Sequence, residues 1–232
     1  MRRKGFLVAF VGPDGTGKTT VCRTLIADGL PGWQLRYEYM AHGLEAARDI
    51  LPLGRWLLRL RSKSVSEAMN TPIGMATVLS LGRMYLSGLI FLASIAEEWL
   101  RQARVTVYVR GGYIVIADRH FVADYFHYEM GPSSRSLHIL NRLHGRLLWR
   151  FYPRPDLTVL LDAPAALLSE RKSDHQGPDL EAQLDGFRQL GSVLPEFRVV
   201  DSARTIDEVM IEVRQVIEAL ARQREHGEVD ER

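Results

Sequence analysis

Short apolar runs alternate with amphipathic stretches along this chain. Five runs predict β-strands, at Phe6–Val11, Gln34–Met40, Tyr113–Ala117, Leu157–Leu161 and Arg198–Val200. Four of them are rich in Val, Ile or Leu without strict alternation, which is typical of parallel strands covered on both faces. Gln34–Met40 is more polar, and this favours a strand at the edge of the sheet.

Helical patterns fill the intervals between these runs. They predict helices at Lys18–Asp28, Ala76–Arg104, Ser136–Arg150, Pro164–Lys172, Leu180–Leu190 and Ile206–Gln223. Gly29 is the expected C-cap of the first helix, and Thr205 with Glu208 forms a capping box before the last. Strands that alternate with helices predict an α/β fold with a five-stranded parallel sheet and helices on both faces.

Composition narrows the class of protein. The chain has 232 residues, and this length favours one domain. Hydrophobic residues make up 46% of the chain and charged residues 25%, a composition that excludes a mainly disordered chain. The single cysteine, Cys22, excludes a disulfide scaffold or a zinc ribbon and fits a reducing compartment, so we expect a cytoplasmic protein. A net charge of +2 excludes a polybasic nucleic-acid binder, although the stretch Arg48–Arg83 is locally basic and would suit an anionic ligand.

Two apolar segments resemble a secretion signal or a membrane-spanning segment at first sight. Phe6–Val11 follows a basic start, but it runs into Gly12-Pro-Asp-Gly15 without a cleavage site of small residues. Met84–Ala96 is shorter than the roughly 20 residues that cross a bilayer, and charged residues bracket it. We therefore expect a buried strand and a buried helix, with no membrane span.

A phosphate-binding loop follows the first strand. The segment from Gly12 to Thr19 fits the pattern G-x-x-x-x-G-K-[ST], between a predicted strand and a predicted helix. Its backbone N–H groups and the helix N-terminus would surround an anion, so the chain is expected to bind ATP or a related triphosphate. The expected nucleotide-binding residues are Gly12, Pro13, Asp14, Gly15, Thr16, Gly17, Lys18, Thr19 and Thr20.

Two side chains of this loop carry specific roles. Lys18 would reach the β- and γ-phosphates, and the hydroxyl of Thr19 would ligate Mg²⁺. Gly15 and Gly17 permit backbone angles that a side chain would forbid. The alternative is a glycine-rich turn between strand and helix with an exposed lysine.

The third strand ends in Asp118-Arg119-His120. Ligands of an open parallel sheet bind at the carboxyl ends of its strands, so Asp118 and Arg119 are expected beside the phosphate loop. Asp118 would order the metal's waters or accept a proton, and Arg119 would bind phosphate oxygens of the acceptor or of the transferred group. A surface ion pair is the alternative.

Three further features are open to two interpretations each. Asp162 ends the fourth strand as a site residue or a simple N-cap. Arg171 and Lys172 either begin a short lid at about 171–180 that closes over the phosphates, or they only place favourable positive charge at a helix C-terminus. Tyr125 and Phe126 would stack on an acceptor ring or belong to the core.

Together these motifs resemble the thymidylate kinase family of P-loop nucleoside and nucleotide kinases. The likeness rests on the phosphate loop with its acidic Asp14, on Arg110–His120, on Leu160–Arg171 and on Val199–Arg204, and it extends from Phe6 to about Leu220. It implies a nucleoside monophosphate kinase-like P-loop NTPase fold and the transfer of the γ-phosphoryl group of Mg²⁺–ATP to a nucleoside monophosphate such as dTMP. It also implies Lys18, Asp118, Arg119 and Arg171 as catalytic residues and Thr19 with Asp118 as metal-binding residues.

The acceptor half departs from that family. An Arg-Glu-Pro-Gly-like loop usually follows the second strand, and here the stretch is Tyr37–Gly43 without that pattern. The family's acceptor-binding arginine would fall near Ile95–Glu98, where Arg83 or Arg101 is the nearest substitute. Transfer to a nucleoside or sugar hydroxyl therefore stays open, as do a regulatory P-loop NTPase and a catalytically inactive relative.

The domain plan follows from the same likeness. We expect one P-loop kinase domain over residues 1–232, with an acceptor-side helical region at about 43–104 and a frayed tail at about 222–232. The partner is a small-molecule acceptor rather than nucleic acid, and a homodimer is left open.

Overall fold

A computed structural model describes residues 4–40, 92, 95–121, 150–171 and 180–230, the last five of these without their side chains. The strands are β1 (Phe6–Val11), β2 (Leu35–Tyr39), β3 (Ile114–Asp118), β4 (Leu157–Asp162) and β5 (Phe197–Asp201). The helices are α1 (Lys18–Asp28), α2 (residues 95–110), α3 (Ala165–Arg171), α4 (Leu180–Gln189) and α5 (Ile206–Asp230), with a 3₁₀ turn at Leu190–Ser192. Each predicted strand is confirmed to within one residue at either end.

The strands form one parallel sheet in the order β2-β3-β1-β4-β5. The central strand β1 is buried along its whole length, because it has strand neighbours on both sides and helices on both faces. The more polar β2 lies at an edge, as its composition predicted. The carboxyl ends of β3, β1 and β4 therefore lie side by side.

Alternate residues of β1 face two separate core layers. Phe6, Val8 and Phe10 pack in a cluster with residues of α1 and α5. Leu7, Ala9 and Val11 pack in a second cluster, which includes residues of α2 and α4. This confirms the predicted five-stranded parallel sheet with helices on both faces.

The chain divides into two compact units. One consists of Met1–Ala41 with Arg104–Arg232 and contains the sheet; the other is His42–Ala103. The second unit corresponds to the region expected on the acceptor side, and its described part is helical. There, Arg101 forms an ion pair at 3.4 Å with Glu97, one turn earlier.

Two helices extend beyond their predicted ends. The helix expected to end at Arg104 continues to residue 110, because Val105 and Val109 pack against the sheet and Arg104 pairs with the buried Glu38 of β2. The amides of Gly111 and Gly112 then close it with hydrogen bonds to the carbonyls of residues 107 and 109.

α5 continues to Asp230, over most of the segment expected to be frayed. Ala221, in the predicted last turn, is buried in the core, and Arg224, just past the predicted end, donates to the carboxylate of Asp156. Other expectations lie outside the described residues: the stretch Arg48–Arg83, the rings of Tyr125 and Phe126, the helix Ser136–Arg150 up to its last residue, and lid residues 172–179. Among the described residues, none of the helices has the length and apolar character needed to cross a membrane.

Candidate active site

The phosphate loop leaves β1 in the middle of the sheet. Gly15 and Gly17 have φ angles of 93° and 83°, the left-handed region that glycine adopts without a steric penalty. α1 begins at Lys18, immediately after Gly17, so its first amides point back at the loop. The strand, loop and helix that the motif requires are all present.

The N-terminus of α1 has no side-chain cap among the described residues, and its first turn contains no acidic residue. At α5, by contrast, Thr205 and Glu208 form the predicted capping box, in which the Thr205 amide donates to Glu208 at 3.0 Å. The first amides of α1 and the partial positive charge of this helix end would therefore suit an external anion.

Lys18 lies within the loop. Its ammonium donates to the carbonyl oxygens of Gly12 at 2.7 Å and Pro13 at 2.6 Å, and the residue is only 5% exposed. The predicted alternative of an exposed lysine on a turn is therefore wrong. The ammonium of Lys18 therefore places a buried positive charge beside the backbone amides of the loop.

The remaining loop residues divide into supporting and accessible ones. The hydroxyl of Thr16 donates to the Pro13 carbonyl at 3.0 Å, and Thr16 is buried, so this side chain stabilises the turn. Thr20 is exposed on the first turn of α1. Leu168 of α3 lies beside Gly15, close enough that a Cβ there would come within 3.7 Å of it.

Thr19 and Asp118 are in direct contact. The Thr19 hydroxyl donates to Asp118 Oδ2 at 2.6 Å, which joins the first turn of α1 to the end of β3. Asp118 is fully buried, so the alternative of a surface ion pair does not hold for this residue. Its second oxygen, Oδ1, is also buried and accepts no hydrogen bond within the described part of the chain.

Tyr37 is a member of this cluster that the sequence analysis missed. Its hydroxyl donates to the same oxygen, Asp118 Oδ2, at 2.9 Å. Burial raises the pKa of Tyr37, and the charge of Asp118 raises it further, so the hydroxyl keeps its proton and remains a donor. The sequence shows a tyrosine on a polar strand; only the pairing of β2 with β3 places it beside Asp118.

Arg119 pairs with the loop. Its guanidinium donates to the carboxylate of Asp14, which ties the end of β3 to the phosphate loop by charge. Its amide donates to the carbonyl of Phe10, which ties the same point to β1. Arg119 has a φ of 72°, which is unfavourable for a residue with a side chain. Such strain often accompanies a functional site, since the surrounding structure must hold it in place.

Asp162 is held by α4 rather than acting as an N-cap. Its two carboxylate oxygens accept from Arg188 Nε at 2.9 Å and Nη2 at 3.2 Å, a bidentate pair. Its backbone carbonyl accepts from the amide and hydroxyl of Ser202, at the end of β5. Because α3 begins at Ala165, its N-cap position is Pro164, and the predicted N-cap alternative for Asp162 is wrong. Arg188 is a second residue that the sequence analysis missed.

Arg171 ends α3 with an exposed side chain that donates to the carbonyl of Ser202 at 3.2 Å. This contact ties it to the turn after β5. Arg171 is thus placed next to a neighbouring strand end rather than in a hydrogen bond with the phosphate loop, and its predicted role over the phosphates remains a prediction.

Two titratable side chains next to the site are buried and uncharged. Burial lowers the pKa of His120 to about 3, and its ring packs edge-on against Tyr152 at 5.6 Å. Burial also raises the pKa of the Cys22 thiol, and the nearby Asp118 adds to this effect. Both side chains therefore serve as packing groups around the strand ends.

Known proteins with similar sequences include several thymidylate kinases. A thymidylate kinase of Cupriavidus metallidurans is 26% identical over 231 residues, which cover 94% of this chain and 100% of the relative. The chain is similar to thymidylate kinases. A second thymidylate kinase, from Thermosipho africanus, is 23% identical over 91% of this chain and 96% of its own. The likeness named from the four motifs is thereby confirmed along most of the sequence.

A relative with a different name and a solved structure are also similar to this chain. The uncharacterized ATP-binding protein YghR of Escherichia coli is 26% identical over 93% of this chain and 88% of its own length. The structure of thymidylate kinase from Candida albicans superimposes with a TM-score of 0.58 at 18% identity and covers 95% of this chain and 94% of that one. No family model matches the chain. The structural likeness confirms the P-loop NTPase fold, and the thymidylate kinase-like relatives support a P-loop kinase.

Proposed function

We propose that this protein is a Mg²⁺–ATP-dependent phosphotransferase that transfers the γ-phosphoryl group to a nucleoside monophosphate such as dTMP. The observation that carries the proposal is the Thr19–Asp118 hydrogen bond, which joins the phosphate loop to the end of β3. Relatives named thymidylate kinase match along more than nine-tenths of the chain and point to the same reaction. We place the protein in the cytoplasm, with a small molecule as its partner.

The loop would hold the triphosphate. Backbone amides from Gly12 to Thr20 and the uncapped start of α1 would donate to phosphate oxygens. The ammonium of Lys18, now held by the Gly12 and Pro13 carbonyls, is positioned to turn from them to the phosphates. Because phosphoryl transfer depends mainly on positioning and charge neutralisation, these groups would supply most of the catalysis from the chain.

The residues at the end of β3 fit a magnesium ion. Thr19 donates its proton to Asp118 and so keeps lone pairs for a metal, and the buried Oδ1 of Asp118 is an acceptor without a donor among the described residues. Mg²⁺ is usually bound by hydroxyl and carboxylate oxygens together with substrate phosphates and water. Bound with ATP, the ion would neutralise phosphate charge, while Thr19 and Asp118 would fix its place.

The acceptor side would use Arg119 and Arg171. Arg119 sits between Asp14 and the end of β3, where its guanidinium would orient the attacking group or the transferred phosphate. Arg171, at the end of α3, would supply a further positive charge over the transferred phosphate. A nucleoside monophosphate already carries a nucleophilic oxygen, so this route needs no general base.

Transfer to a nucleoside or sugar hydroxyl is the second candidate. A hydroxyl acceptor needs a base, and the buried Oδ1 of Asp118, which accepts no hydrogen bond from the described residues, is the group that favours this alternative. The two candidates differ in the acceptor and share the donor half of the site.

The deciding experiment is a phosphoryl-transfer screen. Purified protein is incubated with Mg²⁺–ATP and panels of nucleoside monophosphates, nucleosides and sugars, and products are identified by mass spectrometry. We expect a nucleoside diphosphate from dTMP or a related nucleotide. Transfer only to a nucleoside or sugar would select the second candidate, and ADP formation without a phosphorylated acceptor would point to a regulatory NTPase.

Lys18→Ala is the matched control for that screen. Loss of one positioned cation should lower turnover on the order of a thousandfold with the same circular dichroism spectrum and acceptor preference. If this variant kept more than about a tenth of wild-type turnover, a barrier change of under about 1.4 kcal/mol, the role of the loop would be refuted.

A further inference from the structure

Tyr37 reaches the candidate site from the edge of the sheet. It lies on β2, paired in register with Ile116 of β3, and its ring packs against the core cluster that includes residues of α1. The ring is thus held by packing, and the hydroxyl at its tip extends to Asp118 Oδ2. A tyrosine fixed in this way delivers one donor to one defined point.

Asp118 is held from two sides by donors on different elements. Thr19 on α1 donates to Oδ2 at 2.6 Å, and Tyr37 on β2 donates to the same atom at 2.9 Å. The other oxygen, Oδ1, is buried and accepts nothing from the described residues. Two donors on one oxygen fix the plane of the carboxylate, whereas a single donor would leave it free to rotate about the remaining hydrogen bond.

We propose that Tyr37 is a positioning residue that orients the Asp118 carboxylate beside Thr19 for Mg²⁺ bound with the nucleotide. This inference rests on the proposed function, because it concerns the same metal site. Partners of metal-binding carboxylates fix ligand orientation, and their loss typically weakens metal binding 10–100-fold. The Tyr37 hydroxyl meets the requirement for such a partner, since it contacts Asp118 and comes from a strand outside the phosphate loop.

The competing explanation is that Tyr37 only satisfies a buried carboxylate. In that case the loss of its hydroxyl would lower the melting temperature and leave the affinity for metal unchanged. The two explanations are separated by measuring metal binding directly, apart from enzyme turnover.

Tyr37→Phe removes the hydroxyl and keeps the ring. Tyr113→Phe is the matched control, because Tyr113 lies at the opposite, amino end of β3, where its ring packs against Tyr108 and beneath the guanidinium of Arg36. Mn²⁺, whose free ion is seen by electron paramagnetic resonance, is titrated into each protein with saturating non-hydrolysable ATP analogue. Affinity for the analogue without metal is measured in EDTA.

For Tyr37→Phe we expect the Mn²⁺ concentration at half-saturation to rise about tenfold. Affinity for the analogue in EDTA should stay within twofold of wild type, and Tyr113→Phe should match wild type in both measurements. Placing p-aminophenylalanine at position 37 restores a donor at the tip of the ring and should recover most of the Mn²⁺ affinity. If Tyr37→Phe does not fold, Tyr37→Leu, which also lacks a hydrogen-bond donor, takes its place in the titration.

A half-saturation point for Tyr37→Phe within twofold of wild type would overturn the inference and leave the proposed function intact. An equal loss in Tyr113→Phe would also overturn it, since the effect would then not belong to Asp118. If the wild-type protein bound no Mn²⁺ with the analogue, the metal site of the proposed function would itself fail, and the inference would fall with it.

Discussion

Single residues at the end of β3 combine strain, burial and charge. Asp118 is fully buried, Arg119 has a left-handed backbone, and His120 is buried and neutral. Each condition is unfavourable by itself, and each is stabilised by contacts from a different element. A short sequence of three residues thus joins the sheet, the phosphate loop and the surrounding core.

The backbone strain at Arg119 can be measured by comparing two variants. Arg119→Gly and Arg119→Ala both lose the guanidinium, but only glycine accepts a φ of 72° without a steric penalty. We expect the glycine variant to exceed the alanine variant in free energy of unfolding by about 1 kcal/mol, measured by urea denaturation. Both should raise the Michaelis constant for the acceptor equally. Equal stability of the two would show that position 119 is not strained.

His120 should make the fold sensitive to acid. Its pKa in the folded protein is about 3, whereas an unfolded histidine titrates near 6.5, so the unfolded state takes up a proton first as the pH falls. Stability from this residue is therefore complete above pH 6.5 and is lost progressively below it, by about 2 kcal/mol at pH 5. Urea denaturation at pH 7 and pH 5 should show this loss in the wild type and not in His120→Gln. Equal losses in both proteins would contradict the prediction.

At the level of helices, α1 and α5 begin in different ways. α1 begins with a glycine and no side-chain cap, while α5 begins with Thr205 and Glu208 bonded to each other's amides. Side chains of α5 thus pair with amides at its start, whereas the first amides of α1, at the candidate site, would be left for a ligand. Arg214 of α5 then ties the two together through the Gly29 carbonyl and the Asp28 carboxylate.

The capping box of α5 can be tested without touching the site. Thr205→Ala removes the hydroxyl that accepts from the Glu208 amide and should lower the free energy of unfolding by about 1 kcal/mol. Thr205→Ser retains the hydroxyl and should stay close to wild type. Phosphoryl transfer should be unchanged at a temperature where both variants are folded; a loss of turnover would mean that the start of α5 also contributes to the site.

At the scale of the whole molecule, ligand binding and stability should be linked. A ligand that binds only the folded protein, at about 100 times its dissociation constant, stabilises it by roughly 2.7 kcal/mol. For a chain of this length that corresponds to a rise in melting temperature of roughly 5–11 °C. Differential scanning fluorimetry should show the rise with Mg²⁺–ATP and a much smaller one with Lys18→Ala. A wild-type melting temperature that did not respond to ATP, GTP or their analogues would refute a nucleotide site of any kind.

The sequence by itself determined the features that are local. The phosphate loop, the strands to within one residue, Gly29 as a C-cap and the capping box at Thr205 all depend on residues a few positions apart, whose spacing is visible in the chain. Burial of the central strands also followed from composition, because continuous Val, Ile and Leu runs have no polar face to expose.

Tertiary structure decided which distant residues meet. Tyr37 contacts Asp118 across 81 positions of sequence, and Arg119 contacts Asp14 across 105. These pairs depend on the strand order, on the register of β2 against β3 and on the direction in which each side chain leaves its strand, and a shift of one residue would reverse that direction. The same holds for Asp162, for which the sequence left a site residue and an N-cap open, and whose carboxylate accepts from Arg188 of α4 in the folded chain. Motif spacing thus predicted the residues of the candidate phosphate loop, and packing alone decided which distant side chains contact them.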